Sequence, residues 1–333
     1  MKRILTAILT LSLILLSIPV FAVSTGGTSA QFLKIPIGPR AEAMGGAFSG
    51  LADDGSALFW NPAGTAQFNR AQMVGGYIGY VAKIKYEYFA ASFPVSDYDS
   101  IGIGLGALNT PPMLVTSIET INVGGTLINN IYGGAEEEFN ASDNLFIFNY
   151  ARRFVFKDRD LFYFGLNLKY IRESLEEYKD FTACADIGLL FKLNESFRLG
   201  LSVQNIGGSL KFITEEEQIP QTMRFGVSYY FLNDEMNRLV AATDIIKYID
   251  EDIKVGLGGE YTFRDLLSLR LGYKNTDLGS LSAGVGVIIK FIKTRRIAGE
   301  IKSVEMARVS VNYTFVDFGD FGQTHRYSMS FAF

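Results

Sequence analysis

The chain has little of what most protein chemistry is built from: one cysteine, one histidine, one tryptophan and eight prolines. Cys184 alone excludes an internal disulfide framework. With His325 as the single histidine, the usual zinc sites are out of reach. Acidic side chains outnumber basic ones, 35 against 31, so the clustered positive surplus that nucleic acid demands is missing. A hydrolase of the type that barrels house needs a histidine base beside Ser or Asp. His325 shares a strand face with Tyr327 and Met329, which places it outward. No enzyme activity, cofactor, metal or nucleic-acid partner is therefore expected. After residue 22 no apolar run approaches the roughly 20 residues of a membrane helix.

What is there begins with Lys2 and Arg3, an apolar run from Ile4 to Ile18, and Pro19-Val20-Phe21-Ala22. A charged start, a short apolar core and small residues before a cut describe a secretory signal peptide, expected over residues 1–22. The remaining chain is hydrophobic on average but never continuously so. Phe162, Phe164, Leu166, Leu168 and Tyr170 alternate with Tyr163, Gly165, Asn167 and Lys169. Leu267, Leu269, Leu271 and Tyr273 alternate with Ser268, Arg270 and Gly272. A period of two is the signature of strands, and runs this long match the roughly 9–11 residues of a tilted membrane strand. Tyr and Phe close the apolar faces as an aromatic girdle would, while Gly, Ser, Asn and Arg on the other face suit a polar lumen.

These features predict an all-β fold, a transmembrane antiparallel barrel over residues 70–333. About fourteen strands are expected, centred on Tyr77, Phe89, Ile103, Phe146, Leu166, Ile187, Leu201, Val227, Ala242, Leu257, Leu269, Val287, Val311 and Met329. The long connectors Asn109 to Asn140 and Gly207 to Gln221 then fall outside the cell, and the former has room for a hairpin around Gly124-Gly125. Thr294 to Ser303 is an exception, a longer connector on the periplasmic side. At the end of the chain Tyr327, Met329, Phe331 and Phe333 share one face and resemble the terminal signal read by barrel assembly machinery. The outer membrane of a diderm bacterium, its lipid and that machinery are the expected surroundings.

Residues 23–69 do not alternate. Ala41 to Phe48 suits a short helix or tight turn, Asp53-Asp54-Gly55 is turn chemistry, and Asn61-Pro62 can cap and open a helix. A barrel of this size leaves an open lumen unless plugged, and this segment is the expected N-terminal hatch. Its Gly38-Pro39-Arg40-Ala41, Met44-Gly45-Gly46-Ala47, Asp53-Asp54 and Trp60-Asn61-Pro62-Ala63-Gly64 resemble the PorV/PorQ family of FadL-like outer-membrane proteins. Val203-Gln204-Asn205-Ile206-Gly207-Gly208, with Lys211-Phe212 and Pro220, resembles a second landmark of that family. The resemblance implies a fourteen-stranded barrel with its hatch in the lumen. It implies first a role in type IX secretion or surface attachment, through a translocon and secreted cargo proteins, with uptake of hydrophobic small molecules as the alternative.

The charges assigned to the lumen are Lys169, Arg198, Arg224, Lys254, Arg270, Arg308 and Arg326 against Asp186 and Glu260. A cationic lumen can guide an anion, but pairing with the hatch acids Glu42, Asp53 and Asp54 is the preferred role. Cys184 is read as structural. The triplets Glu136-Glu137-Glu138 and Glu215-Glu216-Glu217 are read as solvated loop surface, and Met113, Leu114, Val115 and Ile118 as candidates to fold over the barrel mouth or touch a partner.

Overall fold

A computed structural model describes residues 27–114, 117–123, 126–132, 138–156, 159–212, 215–234, 236–276, 280–297 and 300–333. The expected signal peptide, residues 1–22, lies outside the described residues, as do Val115, Glu136 and Glu137. In chain order the strands are β1 (Gln72–Gly79), β2 (Lys85–Pro94), β3 (Asp99–Asn109), β4 (Met113–Leu114), β5 (Ser117–Val123), β6 (Thr126–Tyr132) and β7 (Glu138–Phe139). There follow β8 (Ala141–Phe156), β9 (Arg159–Leu175), β10 (Tyr178–Lys192), β11 (Phe197–Ile206), β12 (Ser209–Phe212), β13 (Glu215–Gln218) and β14 (Thr222–Asn233). The last are β15 (Asn237–Tyr248), β16 (Lys254–Phe263), β17 (Leu267–Lys274), β18 (Ser280–Ile297), β19 (Glu300–Asp317) and β20 (Gln323–Ala332).

Fourteen of these close into one antiparallel barrel, β1-β2-β3-β8-β9-β10-β11-β14-β15-β16-β17-β18-β19-β20. Closure is made by β1 against β20, with Tyr77 opposite Tyr327 and Met73 opposite Phe331. Each of the fourteen strand centres read from the alternation falls inside one of these strands. The remaining six form three small hairpin sheets in the two long connectors, and β5 and β6 pair around residues 124–125.

The packing is inside out relative to a soluble protein. Outward side chains are apolar and exposed, as with Leu269 at 53% and Leu271 at 70%. The inward side chains are buried and polar, among them Asn149, Asn167, Asp186, Asp244, Glu260 and Arg270. An apolar belt on a closed sheet, with every ladder bond made inside the barrel, is what hydrocarbon selects. The chain is a transmembrane barrel.

Thr294 to Ser303 is not a free connector. Strands β18 and β19 remain paired down to Ile297 opposite Glu300. Lys293-Thr294-Arg295-Arg296 carries no alternation of apolar and polar residues, because this part of the ladder lies beyond the apolar belt.

Candidate functional site

The lumen holds the N-terminal segment, residues 27–69. It has one α-helix, α1 (Pro39–Ala43), whose Pro39 sits in the first turn after Gly38 at φ 96°. The chain then turns back at Gly45 and Gly46, both in the left-handed region. Asn61 caps a 3-10 helix over Pro62–Gln67, accepting from the Ala63 N–H at 3.1 Å. Met44, Ala47, Phe48, Leu51 and Trp60 form one buried cluster, and the Trp60 indole donates to the Ile37 carbonyl at 2.7 Å.

A segment this short has little core of its own and is held by the wall. Asn167 donates to the Leu58 carbonyl at 2.9 Å, Gln204 to the Phe59 carbonyl at 2.9 Å and Thr314 to the Pro39 carbonyl at 2.6 Å. Asn61 donates outward to the Leu189 carbonyl at 2.9 Å. Inward glycines supply the room. A Cβ at Gly165 or Gly188 would overlap the Asn61-Pro62-Ala63 turn, and one at Gly200 the Ser49 carbonyl. At Gly256, Gly258 and Gly272 it would overlap Met44 or Gly45. The glycines that read as a polar lumen are the seat of the segment.

The charge network centres on Arg40. Its guanidinium donates to both Glu260 oxygens at 2.7 and 2.8 Å, to Asp53 at 2.6 Å and to Asp54 at 3.2 Å. Arg270 meets the same Glu260 at 2.6 Å, and Arg198 meets Asp53 at 3.5 Å. Burial disfavours the Arg40 cation, but Asp53 and Glu260 more than offset this and raise its pKa. Burial likewise pushes the Asp53 carboxyl up, and Arg40 and Arg198 outweigh it to hold Asp53 well below the usual carboxylate range. Such fork-to-carboxylate contacts are the strong kind.

Pairing of every inward charge with the hatch acids is not what the structure places. Arg198 does reach Asp53, and Arg326, fully buried, lies 3.3 Å from Glu42. Asp54 is taken by Arg40 and Ser56 of its own segment. Lys169 pairs with the wall acid Asp186 at 2.8 Å and donates to Asn205. Arg224 bonds Gln204 and lies over the Trp60 ring at 4.9 Å. Lys254 pairs with Glu251 of the adjacent turn, and Arg308 with Glu305 three residues before it. The reason is proximity: strand neighbours satisfy a buried charge before a separate segment can. Arg40 and Glu260 invert the expected polarity, with the cation on the hatch and the acid on the wall.

The second landmark is a wall junction. Asn205 is left-handed at φ 59°, beside a register shift between β10 and β11. Its N–H donates to Asp186 and its side chain to the Pro220 carbonyl, at 2.8 and 2.9 Å. Cys184 is buried on the inward face near this junction. His325 is exposed and stacks on Tyr313. Tyr327, Met329, Phe331 and Phe333 are outward and exposed. Among the described residues no group of His, Cys, Asp and Glu is arranged to hold a metal.

Two larger cavities flank the segment. One, of about 500 Å³ at the long-connector end, is lined by Phe32, Ile35, Pro36, Tyr80, Ile84, Leu108 and Phe318, with Lys34, Glu251, Lys254 and Lys274 among the charged residues. Ile35 and Pro36 also line a small deeper pocket of about 30 Å³ that reaches Trp60. The other, of about 360 Å³ at the short-turn end, is polar and bounded by Arg40, Asp53, Asp54, Glu260, Glu305 and Arg308. Arg326 donates to the Pro36 carbonyl and faces Glu42, and both of these line the first cavity. Sequence reasoning missed the cavities, since their walls come from strands far apart in the chain.

The first turn of the segment is fastened to the β15–β16 turn. Lys34 meets Asp250 at 2.6 Å and Glu251 at 2.7 Å, and Thr28 donates to Asp250 at 2.8 Å. Burial raises the Asp250 pKa, but bonds from Lys34, Thr28 and Gln31 prevail and hold it down to about 2. The unfolded value is about 3.9, so this fastening is fully present above about pH 4 and is lost as pH falls through about 2. Pepsin is therefore expected to cut between residues 27 and 35 at about pH 2 but not at about pH 4. Asp250→Asn should allow the cut already at the higher pH. Equal protection at both pH values would remove Asp250 from the account.

No family model matches the sequence, and no curated protein matches it. Solved structures do. The chain superposes on the CymD monoaromatic hydrocarbon channel with a TM-score of 0.55 and 13% identity, covering 90% of this chain and 97% of that one. For the toluene transporter TbuX of Ralstonia pickettii the TM-score is 0.53 at 13% identity, over 89% and 97% of the two chains. A FadL homologue of Pseudomonas aeruginosa gives 0.53 at 11% identity, over 90% and 98%. The fold is thus that of the FadL-like channels, a closed fourteen-strand barrel with an N-terminal segment.

Proposed function

We propose that the protein is an outer-membrane channel that takes up small hydrophobic molecules, closed by a hatch over residues 23–69 after a signal peptide at 1–22 is removed. The cavity of about 500 Å³ between hatch and wall carries the reading. Its Phe32, Ile35, Ile84, Leu108 and Phe318 offer an apolar solute a place to leave water. Similar structures described as monoaromatic hydrocarbon channels and toluene transporters support it. In this reading the long connectors face outward and the short turns face the periplasm, as in barrels of this kind. The hatch motif, Gly38, Pro39, Arg40, Met44, Gly45, Gly46, Asp53, Asp54, Trp60, Asn61, Pro62 and Gly64, shapes and anchors the plug. The lumen charges Arg198, Arg224 and Glu260 hold it from the wall, and Lys169, Asp186, Lys254, Arg270 and Arg308 pair with other barrel residues. Tyr327, Met329, Phe331 and Phe333 serve as the assembly signal.

Trp60 is the single tryptophan and lines the pocket below the cavity, so it can report occupancy. Toluene is expected to change its emission saturably in the purified protein. Ile35→Asp, which puts a charge in the cavity lining, should weaken that binding by about tenfold or more. An unsaturable response identical in both proteins would sink the reading.

A secretion-linked role of the PorV/PorQ type is the second reading. It rests on the sequence resemblance and on the paired hairpin β5–β6 in the longest connector.

A further inference from the structure

One element of the fold has no part in uptake. Strand β17 pairs with β18 only as far as Leu267 opposite Val287, with one more bond from the Ile288 N–H to the Leu266 carbonyl. Strand β20 leaves β19 at Ala332 opposite Arg308. Yet β18 and β19 continue to pair with each other to Ile297 opposite Glu300. Residues 289–297 and 300–307 thus have only each other as strand partners, a two-stranded ribbon about 30 Å long at about 3.4 Å per residue. Its barrel-end residues Lys290 and Glu305 still reach Asp265 and Arg70. Among the described residues neither outer edge has a strand partner. The neighbouring turn at Arg264–Leu266 closes within three residues of its strands, so the extension is not a general feature of that end.

Two properties say what would fit. The edges present rows of unpaired N–H and C=O groups, the template to which an extended segment adds as a further strand. Phe291, Ile292, Val304 and Met306 are exposed beside them. The ribbon sequence also carries Lys293, Arg295, Arg296 and Lys302 against Glu300, a basic surplus in a chain whose net charge is −4. The basic charges near the barrel, Lys290 and Arg308, already have Asp265 and Glu305. A second copy of the chain would bring an equally basic ribbon and be repelled. A lipid surface answers the charge but not the alternating donors and acceptors.

We propose that the β18–β19 ribbon is a docking edge for an extended acidic segment of a periplasmic protein, which adds to it as a third strand. The proposal rests on the outer-membrane orientation given above, with the short turns in the periplasm. A barrel that hands an apolar solute onward has use for a receiver held at its exit.

The test places a photo-crosslinking amino acid at Lys293 or Val304 of the full chain in its native outer membrane, and sequences the linked peptide by mass spectrometry. The expected product is a periplasmic protein joined through a stretch of net negative charge. Its yield should fall roughly tenfold in Arg295→Glu/Arg296→Glu/Lys302→Glu. Toluene uptake by that variant should be unchanged, which separates this proposal from the channel reading. If the triple variant fails to assemble, Lys293→Glu with the probe at Val304 gives the same comparison. Adducts only with phospholipid, only with a second copy of this chain, or unaffected by charge reversal would overturn it.

Discussion

In planar bilayers Arg40→Ala is expected to turn a closed barrel into one that opens spontaneously. Arg40 joins three carboxylates, two on the hatch and one on the wall. Its removal leaves Asp53 with Arg198 at 3.5 Å and the Tyr230 hydroxyl at 3.1 Å, and leaves Asp54 with Ser56. Breaking a buried ion pair by deleting one partner costs about 3–5 kcal/mol. Spent on hatch docking, that raises the undocked population by on the order of a thousandfold. Arg40→Lys should fall between, because an ammonium cannot grip both Glu260 oxygens at once. Trp60 emission should move to the red as its ring leaves the pocket between Phe48 and Arg224. Unchanged conductance and emission, in a protein that still migrates as a folded barrel, would show that the hatch is held by other means.

A pair of neighbouring glycines gives the second large effect and its control together. Gly258 and Gly259 are adjacent in β16 and face opposite ways. A Cβ on Gly258 would collide with the Met44 backbone and side chain, whereas one on Gly259 meets nothing closer than the Val240 carbonyl at 3.9 Å. Backbone cannot yield as a flexible side-chain tip can, so Gly258→Ala must push the Met44–Gly45 turn out of its seat. Overpacking of this kind costs about 1–3 kcal/mol, and conductance should rise roughly tenfold to a hundredfold. Gly259→Ala should behave as the native protein. Equal behaviour of the two variants would mean that the segment is not seated against β16.

The contrast shows how far the sequence could be read. Alternation at Leu267, Leu269 and Leu271 or at Tyr327, Met329 and Phe331 gives the strand and the outward face, because one solvent is hydrocarbon and constrains every second residue. The inward face is filled by another part of the chain, and a strand pattern carries no record of its occupant. Gly165, Gly200 and Gly272 therefore look like lumen when they are contact. Glu260 looks like a lone wall acid because its partner Arg40 lies 220 residues away. The ribbon was hidden for a different reason: past the apolar belt, pairing persists without alternation. A helix signal at Asn61-Pro62 was local and legible, although the turn it opens is 3-10.

On the proposed function, the space between hatch and wall admits apolar solutes through the membrane. The direct measurement is the initial rate of radiolabelled toluene entry into cells whose outer membrane contains this protein, the Ile35→Asp variant or neither. Faster entry is expected with the native chain, and a return to the protein-free rate with Ile35→Asp at equal barrel abundance. Entry no faster with the native chain than without it would contradict the account and leave the secretion-linked reading in its place.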